Sequence, residues 1–363
     1  MKLLKIKPYD NTFFRLGNNF EMRISTVIQS KNIAYPSTFF GAIFTAILAN
    51  NDVFREKFLS KKANNDHFKI LSIKQIYLYD EKQRTAYISA PKDLFIGNNI
   101  SYGSFKRLEE NEASILYSSY LEEPEGDELE RTDNYYVNIK DFFPKYRYKI
   151  LQKRDLKHEN DIFIKNLKTG IALDKGTGTV RESCIYTIEQ TEFKDSEENH
   201  WNFVVEYDIN NDFVREYYDN IEIKNLDKGH LKLGGESKVC SYEIIDNKSI
   251  ASFRLEQRDE ILKPEEKVKV VLTSDSYFKE CLEKSFNDEI KIQALVNDKP
   301  IYIGGFDLVK NKEKVMYKGY SAGTVILLQN TSNNDVNINE YLSKKITADF
   351  TNGFNQYIYV KGE

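Results

Sequence analysis

The segment YPSTFFGAIFTAILANND, residues 35–52, contains the strongest periodic pattern in the chain. Its phenylalanines, isoleucines and leucine recur at spacings of three and four residues, which is the period of one helix face. Pro36, Ser37 and Thr38 are residue types favoured at a helix N-terminus, and two asparagines follow the last apolar residues. The segment therefore predicts a helix of about four turns that buries one face.

Strand patterns lie on both sides of this helix. MKLLKIKPYD alternates apolar residues with lysines and predicts a strand that ends at Pro8, while FKILSIKQIYLYD (68–80) and TAYISAP (85–91) predict two more strands. Strand, helix, strand, strand is the beginning of a ferredoxin-like unit. A second strand that runs into a helix begins at KVKVVLTSDSYFKECLEKSF (267–286). The sequence thus predicts an α+β protein with two tandem ferredoxin-like, RRM-like domains.

The segment LKPEEK, residues 262–267, predicts the boundary between these domains. We expect an N-terminal domain over 1–262 and a C-terminal domain over 263–363, because 363 residues suit two domains of roughly 100 to 200 residues each. The first domain contains an insertion near 98–160, where alternation gives way to charged and tyrosine-rich sequence. Further strands are expected at 170–174, 184–190, 201–208, 239–245 and 249–257.

Charge is unevenly distributed along the chain. The net charge is −4, but residues 109–133 alone carry −9, so the rest of the chain is at +5. The stretch KYRYKILQKRDLK (145–157) has six basic residues and one acidic residue. An overall acidic composition therefore does not exclude a nucleic-acid partner, although charge runs are often only solvated surface.

Composition excludes several other classes of protein. No run approaches the roughly 18 consecutive apolar residues of a membrane span, and the N-terminus lacks a signal-peptide pattern, so we expect a cytoplasmic protein without membrane contact. Three cysteines far apart make neither a disulfide framework nor a zinc site, and we expect Cys184, Cys240 and Cys281 to be buried. The sequence gives no indication of a metal site or a cofactor.

The stretch KTGIALDKGTGTVRESCIYTIEQ, residues 168–190, is rich in glycine and threonine. It lacks the third glycine of the dinucleotide fingerprint and the Gly-Lys-Ser/Thr of a P-loop, so a nucleotide-phosphate loop is disfavoured. The pattern predicts a hairpin whose tip carries Lys175 and Arg181, together with N–H groups and hydroxyls that suit a sugar-phosphate chain. An ordinary turn uses the same residue types, and we expect Asp174 to stabilise the turn.

Three more glycine-containing stretches follow: HLKLGGESKV (230–239), IYIGGFDLV (301–309) and KGYSAGTVILL (318–328). With NTFFRLGNNF (11–20), the start of the predicted helix and the GIALD…TGT…IYT block, they occur in the order expected for the RAMP superfamily. Within this superfamily, the chain resembles the family of the third subunit of the Cmr effector complex of type III-B CRISPR systems. The matching blocks extend from residue 12 to about 328.

This resemblance implies two ferredoxin-like domains in a subunit that grips the repeat-derived 5′ tag of the CRISPR RNA. It also implies docking on the large cyclase/nuclease subunit and contact with the backbone RAMP subunits. A helix N-terminus with free N–H groups also suits a phosphate. Carried over to this sequence, the RNA-binding positions are Arg15, Gly17, Ser37, Thr38, Gly41, Gly170, Lys175, Arg181, Gly234, Gly235 and Lys238.

Many RAMP relatives cut RNA, so the resemblance leaves a catalytic role open. Metal-free RNA cleavage commonly uses histidine as general acid or base; none of the four histidines has a partner at motif spacing, and for His230, beside the LGGES loop, a structural role is favoured. The acidic residues cluster at 109–133 and form no converging carboxylate set. We expect a non-catalytic subunit. The alternatives are a guide-processing endoribonuclease, the equivalent subunit of a type III-A complex, and a two-domain scaffold without RNA contact.

Overall fold

The computed structural model describes residues 2–16, 27–61, 66–109, 117–126, 128–174, 176–253, 260–278, 280, 282–286, 288–307, 312–347 and 352–361. Its largest element is an eight-stranded sheet, here called the N-terminal sheet, in which all neighbouring strands are antiparallel. In spatial order its strands are Leu156–His158, Tyr135–Asn138, Thr85–Ser89, Leu71–Asp80, Trp201–Ile209, Lys2–Pro8, Val239–Ile245 and Lys228–Lys232.

A second antiparallel sheet of four strands, the C-terminal sheet, is built from the last hundred residues. Its spatial order is Ile290–Val296, Val325–Asn330, Lys267–Leu272 and Tyr357–Lys361. Numbered along the chain, these strands have the order second, third, first, fourth. The four central strands of the N-terminal sheet, from Leu71–Asp80 to Val239–Ile245, have the same order. The fold is therefore mixed α and β with mostly antiparallel sheets, as the α+β prediction states.

The predicted first helix is present as Pro36–Ala49. Its apolar face packs on the N-terminal sheet, where Phe39 and Ile47 join Leu4 and Phe203 in one buried cluster. Pro36 occupies the first turn, where backbone N–H groups have no acceptor within the helix, so a proline costs no hydrogen bond. At the other end the Asn50 amide donates to the carbonyl of Ala46 at 2.8 Å, which closes the last turn.

The opposite face of the N-terminal sheet is covered by the C-terminal sheet. Strand Leu71–Asp80 alternates buried and half-buried residues at first, then is buried throughout its last four residues. There Tyr77 and Tyr79 share a cluster with Val271 and Val325 of the C-terminal sheet. Burial on both faces explains the continuous apolar run Ile76–Tyr79 before the final Asp80.

A buried ion pair joins the segment before strand Leu94–Ile96 to the C-terminal sheet. The Asp93 carboxylate, with no exposed surface, accepts hydrogen bonds from Tyr146 at 2.7 and 2.8 Å and from Lys269 Nζ at 3.2 Å. Lys269 lies on the first strand of the C-terminal sheet and is only 6% exposed. Pairing and hydrogen bonding together allow both charges to be buried.

Residues 81–200 separate the second and third central strands and include the segment 98–160, for which an insertion stays a prediction. They add edge strands to the N-terminal sheet and contain a long hairpin, Phe163–Leu173 and Val180–Phe193, on which Val27–Ile28 pairs in parallel. In the acidic segment 109–133, Tyr117 donates to Glu283 at 2.5 Å and Ser118 donates to Gln293, whereas Glu123, Glu125, Glu128 and Glu130 are exposed. Residues 110–116 and 127 lie outside the described residues.

The remaining elements are short. The other described strands are Leu94–Ile96, Ile100–Tyr102, Ser104–Arg107, Ser119–Glu122, Glu130–Arg131, Ile261–Leu262, Ser276–Tyr277, Ile301–Ile303, Phe306–Asp307, Lys312–Glu313, Tyr317–Tyr320 and Val336–Asn337. The other described helices are Asp52–Ser60, His67–Ile70, Thr132–Asn134, Phe142–Arg147, Lys153–Asp155, Glu159–Ile162, Asn211–Tyr217, Gly235–Ser237, Lys248–Phe253, Leu282–Ser285, Ile338–Leu342 and Ser343–Thr347. No helix in the described ranges is long and apolar enough to cross a membrane.

Three expectations on secondary structure need correction. The predicted strand at 249–257 begins instead as the helix Lys248–Phe253, because the Asn247 side chain accepts from the N–H groups of Ser249 at 3.0 Å and Ile250 at 3.2 Å. The helix predicted at the end of 267–286 is reduced to Leu282–Ser285. The third central strand is Trp201–Ile209, whereas Thr85–Ser89 lies outside the central four. The domain boundary at 262/263 stays a prediction.

Candidate nucleic-acid interface

The predicted hairpin is the most extended element of residues 81–200. Its strands pair from Phe163 opposite Phe193 to Ile171 opposite Ile185, and an irregularity precedes the tip. Apolar side chains on it are open to solvent, with Leu167 68% exposed. A long antiparallel ladder therefore supports the glycine-rich tip.

The tip is closed by Asp174, as the sequence predicted. Its carboxylate accepts hydrogen bonds from the N–H groups of Gly176 at 2.9 Å and Thr177 at 3.1 Å, and its own N–H donates to Thr179 at 2.8 Å. These bonds hold the turn without involving a ligand. Lys175 lies outside the described residues, and so does the side chain of Arg181, whose backbone belongs to the strand Val180–Phe193.

At the other end of the hairpin, three of the predicted sequence blocks meet. We call this surface the hairpin foot and define it by residues 9–16, 163–168, 188–193 and 233–238. Thr12 pairs with Thr191 through two backbone hydrogen bonds of 2.7 and 2.8 Å. Arg15 forms a β-bridge with Ser30, and Lys165 Nζ donates to the Ser30 carbonyl at 3.0 Å. The N-terminal block is thus tied to the hairpin.

The LGGES loop completes the hairpin foot. The N–H of Gly235 donates to the Phe13 carbonyl at 2.9 Å, and the Glu236 carboxylate accepts from Lys168 at 3.0 Å and Gln190 at 2.9 Å. Gly234 has φ +77° and ψ −161°, a conformation open almost only to glycine. The order of these blocks in the sequence did not predict that they are neighbours, whereas in the structure they are in contact.

Three lysines of the hairpin foot are paired with carboxylates. Lys238 Nζ lies 2.6 Å from the Asp10 carboxylate, and this hydrogen bond, together with the N–H of Asn11, lowers the pKa of Asp10. Lys165 lies 2.9 Å from Glu189, and Lys168 is bound to Glu236. The predicted RNA contact Lys238 therefore already has a carboxylate partner within the chain.

Gly170 has a packing role in the structure. It lies opposite Tyr186 in the hairpin, and a Cβ at this position would lie 2.3 Å from Cζ of the tyrosine ring. Gly229 and Tyr242 repeat the arrangement on the N-terminal sheet, where a Cβ would lie 2.7 Å from the tyrosine hydroxyl. Both glycines make room for a cross-strand ring, a pairing of residue types that sequence reading had not used.

The helix-start residues border a different surface. Neither Ser37 nor Thr38 caps the helix with its side chain; the N-cap residue is Tyr35, whose carbonyl accepts from the Thr38 N–H at 2.8 Å. Gly41 is exposed, and nothing lies within 4 Å of the position that a Cβ would take. Pro36 lines a cleft of about 430 Å³ between the two sheets.

This cleft contains a residue that sequence reasoning missed. Lys92 is 2% exposed, and its Nζ donates to Ser321 at 2.8 Å, with the carboxylates of Asp133 and Asp298 both at 3.9 Å. Burial lowers the pKa of Lys92. The segment around Ser321, far away in the chain, buries this lysine, so the sequence near Lys92 could not predict its burial.

The histidines have structural partners. His230 contacts Tyr9 at 3.0 Å, His200 lies 3.0 Å from Asp195, and Nδ1 of His158 accepts from the Asn160 N–H at 3.2 Å. His67 packs against the ring of Phe68. Within the described part of the chain, no three His, Cys, Asp or Glu side chains are placed to hold a metal ion.

Cys240 is buried, which raises the pKa of its thiol to about 12. Cys281 and the side chain of Cys184 lie outside the described residues, as does Gly17. The expectation of buried cysteines is thus confirmed for Cys240 alone.

Comparisons with known proteins agree with this architecture. The structure is similar to a chain of the cryo-EM structure of the Type III-B Cmr-beta bound to cognate target RNA and AMPPnP, state 1, with a TM-score of 0.53 and 18% identity over 99% of each chain. A chain of the Type III-B Cmr-beta bound to cognate target RNA gives a TM-score of 0.53 and 18% identity, covering 98% of this chain and 96% of that chain. At this identity the similarity concerns the fold. No curated protein matches the chain.

The family comparison covers nearly the whole sequence. The family described as CRISPR-associated protein (Cas_Cmr3) matches residues 4–361. This range includes every sequence block on which the resemblance to the Cmr third subunit was based. The resemblance is confirmed, and the chain belongs to the Cas_Cmr3 family of CRISPR-associated proteins.

Proposed function

We propose that this protein is a non-catalytic, RNA-binding scaffold subunit of a type III-B Cmr effector complex. In this role it holds the 5′ repeat-derived tag of the CRISPR RNA and docks on the large cyclase/nuclease subunit and the backbone RAMP subunits. The observation that carries the proposal is the hairpin foot, where Phe13, Lys168 and Glu236, from three separate blocks of the Cmr3-like sequence, meet beneath one glycine-rich hairpin. Family membership sets aside the type III-A alternative.

Topology supports the tandem ferredoxin-like arrangement as part of this proposal. The order second, third, first, fourth in both sheets is that of a ferredoxin-like sheet. In the N-terminal sheet, the helices Pro36–Ala49 and Asn211–Tyr217 follow the first and third central strands, as the βαββαβ unit requires. In the C-terminal sheet, Leu282–Ser285 and Ile338–Leu342 have the corresponding positions.

The charges of the hairpin tip and of the hairpin foot suggest different roles for the two regions. Single-stranded RNA is bound by cations that contact phosphates and by surfaces that receive unstacked bases. Three lysines of the hairpin foot, Lys165, Lys168 and Lys238, are paired with carboxylates, so we assign the salt-dependent affinity to Lys175 and Arg181 at the tip.

The test compares two double variants. Lys175→Ala with Arg181→Ala removes the tip cations, while Lys140→Ala with Lys291→Ala removes two exposed cations elsewhere. We measure binding of labelled 5′ tag RNA by fluorescence anisotropy across a salt series. The tip variant is expected to bind more weakly. Its affinity should also fall less steeply with salt: the magnitude of the slope of log K against log salt should decrease by up to about 1.4, since each phosphate contact to a single strand contributes about 0.7.

An equal effect of the two variants would contradict the assignment to the tip. Undetectable binding of tag RNA by the unmodified chain would overturn the RNA-binding role. The non-catalytic role is tested by incubating the chain with repeat RNA, because formation of a product that ends in a cyclic phosphate would favour the endoribonuclease alternative.

A further inference from the structure

The N-terminal sheet ends in a strand that pairs on one side only among the described strands. Strand Lys228–Lys232 is the last in the spatial order and pairs with Val239–Ile245. In an antiparallel pair, every second residue directs its N–H and C=O groups to the partner strand, and the residues between direct theirs away. We call Lys228–Lys232 the open edge, because a row of such outward groups is a template for a further strand.

The hydrogen bonds of this pair fix which groups point outward. The N–H of Leu233, directly after the strand, donates to the Lys238 carbonyl at 2.9 Å. The odd-numbered residues therefore face the partner strand, and the N–H and C=O groups of Lys228, His230 and Lys232 face away from the sheet. No hydrogen bond from another described part of the chain reaches these outward groups.

The side chains of the open edge differ between the two faces of the sheet. Leu231 is 6% exposed and belongs to the buried cluster on the helix side. Lys228, His230 and Lys232 lie on the other face and are exposed. Lys228 and His230 line a groove of about 470 Å³ there, and neither lysine has an ion pair within the described ranges. The open edge therefore combines outward backbone groups with uncompensated positive charge.

Charge limits what the open edge can pair with. The carboxylate across the ladder from Lys228, that of Glu243, is bound to Lys5 Nζ at 2.6 Å. A second copy of this strand would set lysines against lysines in either direction, and like charges directly opposite are destabilising. Lysines on an edge strand commonly prevent such self-association. They admit a strand of opposite charge.

A nucleic-acid backbone satisfies this edge less well than a peptide does. The outward carbonyls need hydrogen-bond donors, whereas phosphate oxygens are acceptors only. A peptide strand supplies N–H and C=O groups in alternation, which matches both kinds of group on the edge. The observations therefore favour a protein partner.

We propose that the open edge receives an extended acidic segment of a partner protein as an additional strand. Main-chain hydrogen bonds to Lys228, His230 and Lys232 provide affinity, and alternate side chains provide specificity. Acidic residues of the segment lie opposite the two lysines, on one face, and apolar or small residues between them lie on the face of Leu231. This inference goes beyond the proposed function and does not depend on RNA binding.

The test titrates the full chain into three capped, labelled peptides and follows fluorescence anisotropy. Thr-Glu-Val-Thr-Val-Glu-Thr, the matching peptide, has both glutamates on one face. Thr-Glu-Val-Thr-Glu-Val-Thr, the control peptide, has the same composition but places them on opposite faces. We expect saturable binding of the matching peptide and about threefold weaker binding of the control peptide, because one cross-strand charge pair is lost. The lysine peptide, Thr-Lys-Val-Thr-Val-Lys-Thr, is expected not to bind.

A charge reversal tests the pairing directly. Lys228→Glu with Lys232→Glu is expected to weaken binding of the matching peptide about 30-fold and to create binding of the lysine peptide, because two attractive cross-strand pairs become repulsive and the reverse. Lys140→Glu with Lys153→Glu reverses two exposed lysines outside the sheets and serves as the matched control. This control is expected to leave both affinities unchanged.

A proline tests the backbone contribution. His230→Pro removes an outward N–H and leaves the bonds to the partner strand in place, a position where edge strands tolerate proline. His230→Val keeps the N–H, and both variants lose the side-chain contact with Tyr9. We expect His230→Pro to bind the matching peptide about fivefold more weakly than His230→Val. Thermal unfolding compares the stability of the two variants, and the charge reversal tests the proposal whichever is the more stable.

The proposal is overturned if the matching peptide does not bind, if both glutamate peptides bind equally, or if the charge reversal leaves the affinities unchanged. It is also overturned if 5′ tag RNA competes with the peptide, because the edge would then belong to a nucleic-acid surface. Peptide binding that persists at saturating tag RNA supports a separate site. Absence of RNA binding by the unmodified chain would contradict the proposed function and leave this inference standing.

Discussion

The replacement Gly234→Ala tests how the hairpin foot is built. A non-glycine residue at φ +77° and ψ −161° costs about 1 to 3 kcal/mol. The added Cβ would also lie 2.8 Å from the Phe13 carbonyl oxygen and 2.8 Å from Cδ1 of Phe14, whose ring is only 4% exposed. Neither neighbour moves easily, so we expect the free energy of unfolding to fall by about 2 to 4 kcal/mol.

The adjacent glycine provides the matched control. At Gly235 a Cβ would lie 2.7 Å from Cδ1 of Phe13, a half-buried ring that is able to rotate away, and 3.4 Å from the Phe13 carbonyl oxygen. We expect Gly235→Ala to lower the free energy of unfolding by less than about 1 kcal/mol. Urea unfolding followed by circular dichroism measures both variants. Equal stability of the two would refute the account of the loop, and a Gly234→Ala variant as stable as the unmodified chain would refute the strain argument.

Two further variants test the helix surface and the buried ion pair between Asp93 and Lys269. Gly41→Ala is expected to raise the free energy of unfolding by roughly 0.5 to 1 kcal/mol, because the Cβ meets open space in a helix. A loss of affinity for tag RNA in this stabilised variant would indicate that the RNA backbone approaches the helix. Unchanged affinity would contradict the predicted contact. Asp93→Asn removes the carboxylate charge beside buried Lys269 and is expected to destabilise by about 3 kcal/mol in the same urea assay. Adding Lys269→Met is expected to recover much of that loss, and strictly additive effects would show that the two groups are not coupled.

Local sequence signals predicted the elements that local interactions determine. The helix Pro36–Ala49 and the strand Lys2–Pro8 have the bounds that periodicity and proline indicated. The strand prediction for the segment after Asn247 was wrong. The alternating pattern favoured a strand, whereas the side chain of Asn247 caps a helix there. A short-range hydrogen bond outweighed a periodicity of only a few residues.

Long-range pairing was the part that sequence reading did not reach. The strand Trp201–Ile209 lies between Lys2–Pro8 and Leu71–Asp80, although more than a hundred residues separate it from either in the chain. Nothing within Trp201–Ile209 specifies those neighbours, because any half-buried strand satisfies the same pattern. For the same reason the burial of Lys92 in the cleft, which depends on Ser321, had no sequence signal.

The glycines of the candidate site show a related limit. The family resemblance assigned Gly170 and Gly234 to RNA binding. In the structure the side chain of Tyr186 occupies the space beside Gly170, and Phe13 and Phe14 occupy the space beside Gly234. The groups beside these two glycines belong to the chain itself. The RNA-binding assignment of both positions stays a prediction.

The two parts of the candidate interface are expected to respond differently to salt. Three lysines of the hairpin foot are each bound to a carboxylate, Lys165 to Glu189, Lys168 to Glu236 and Lys238 to Asp10, and such pairs would release few counterions on binding RNA. Under the proposed function, cations at the tip lose their contribution as salt rises. The effect of Lys175→Ala with Arg181→Ala on Kd should thus shrink as salt increases. An effect of constant size across the salt series would mean that the tip cations do not contact phosphates.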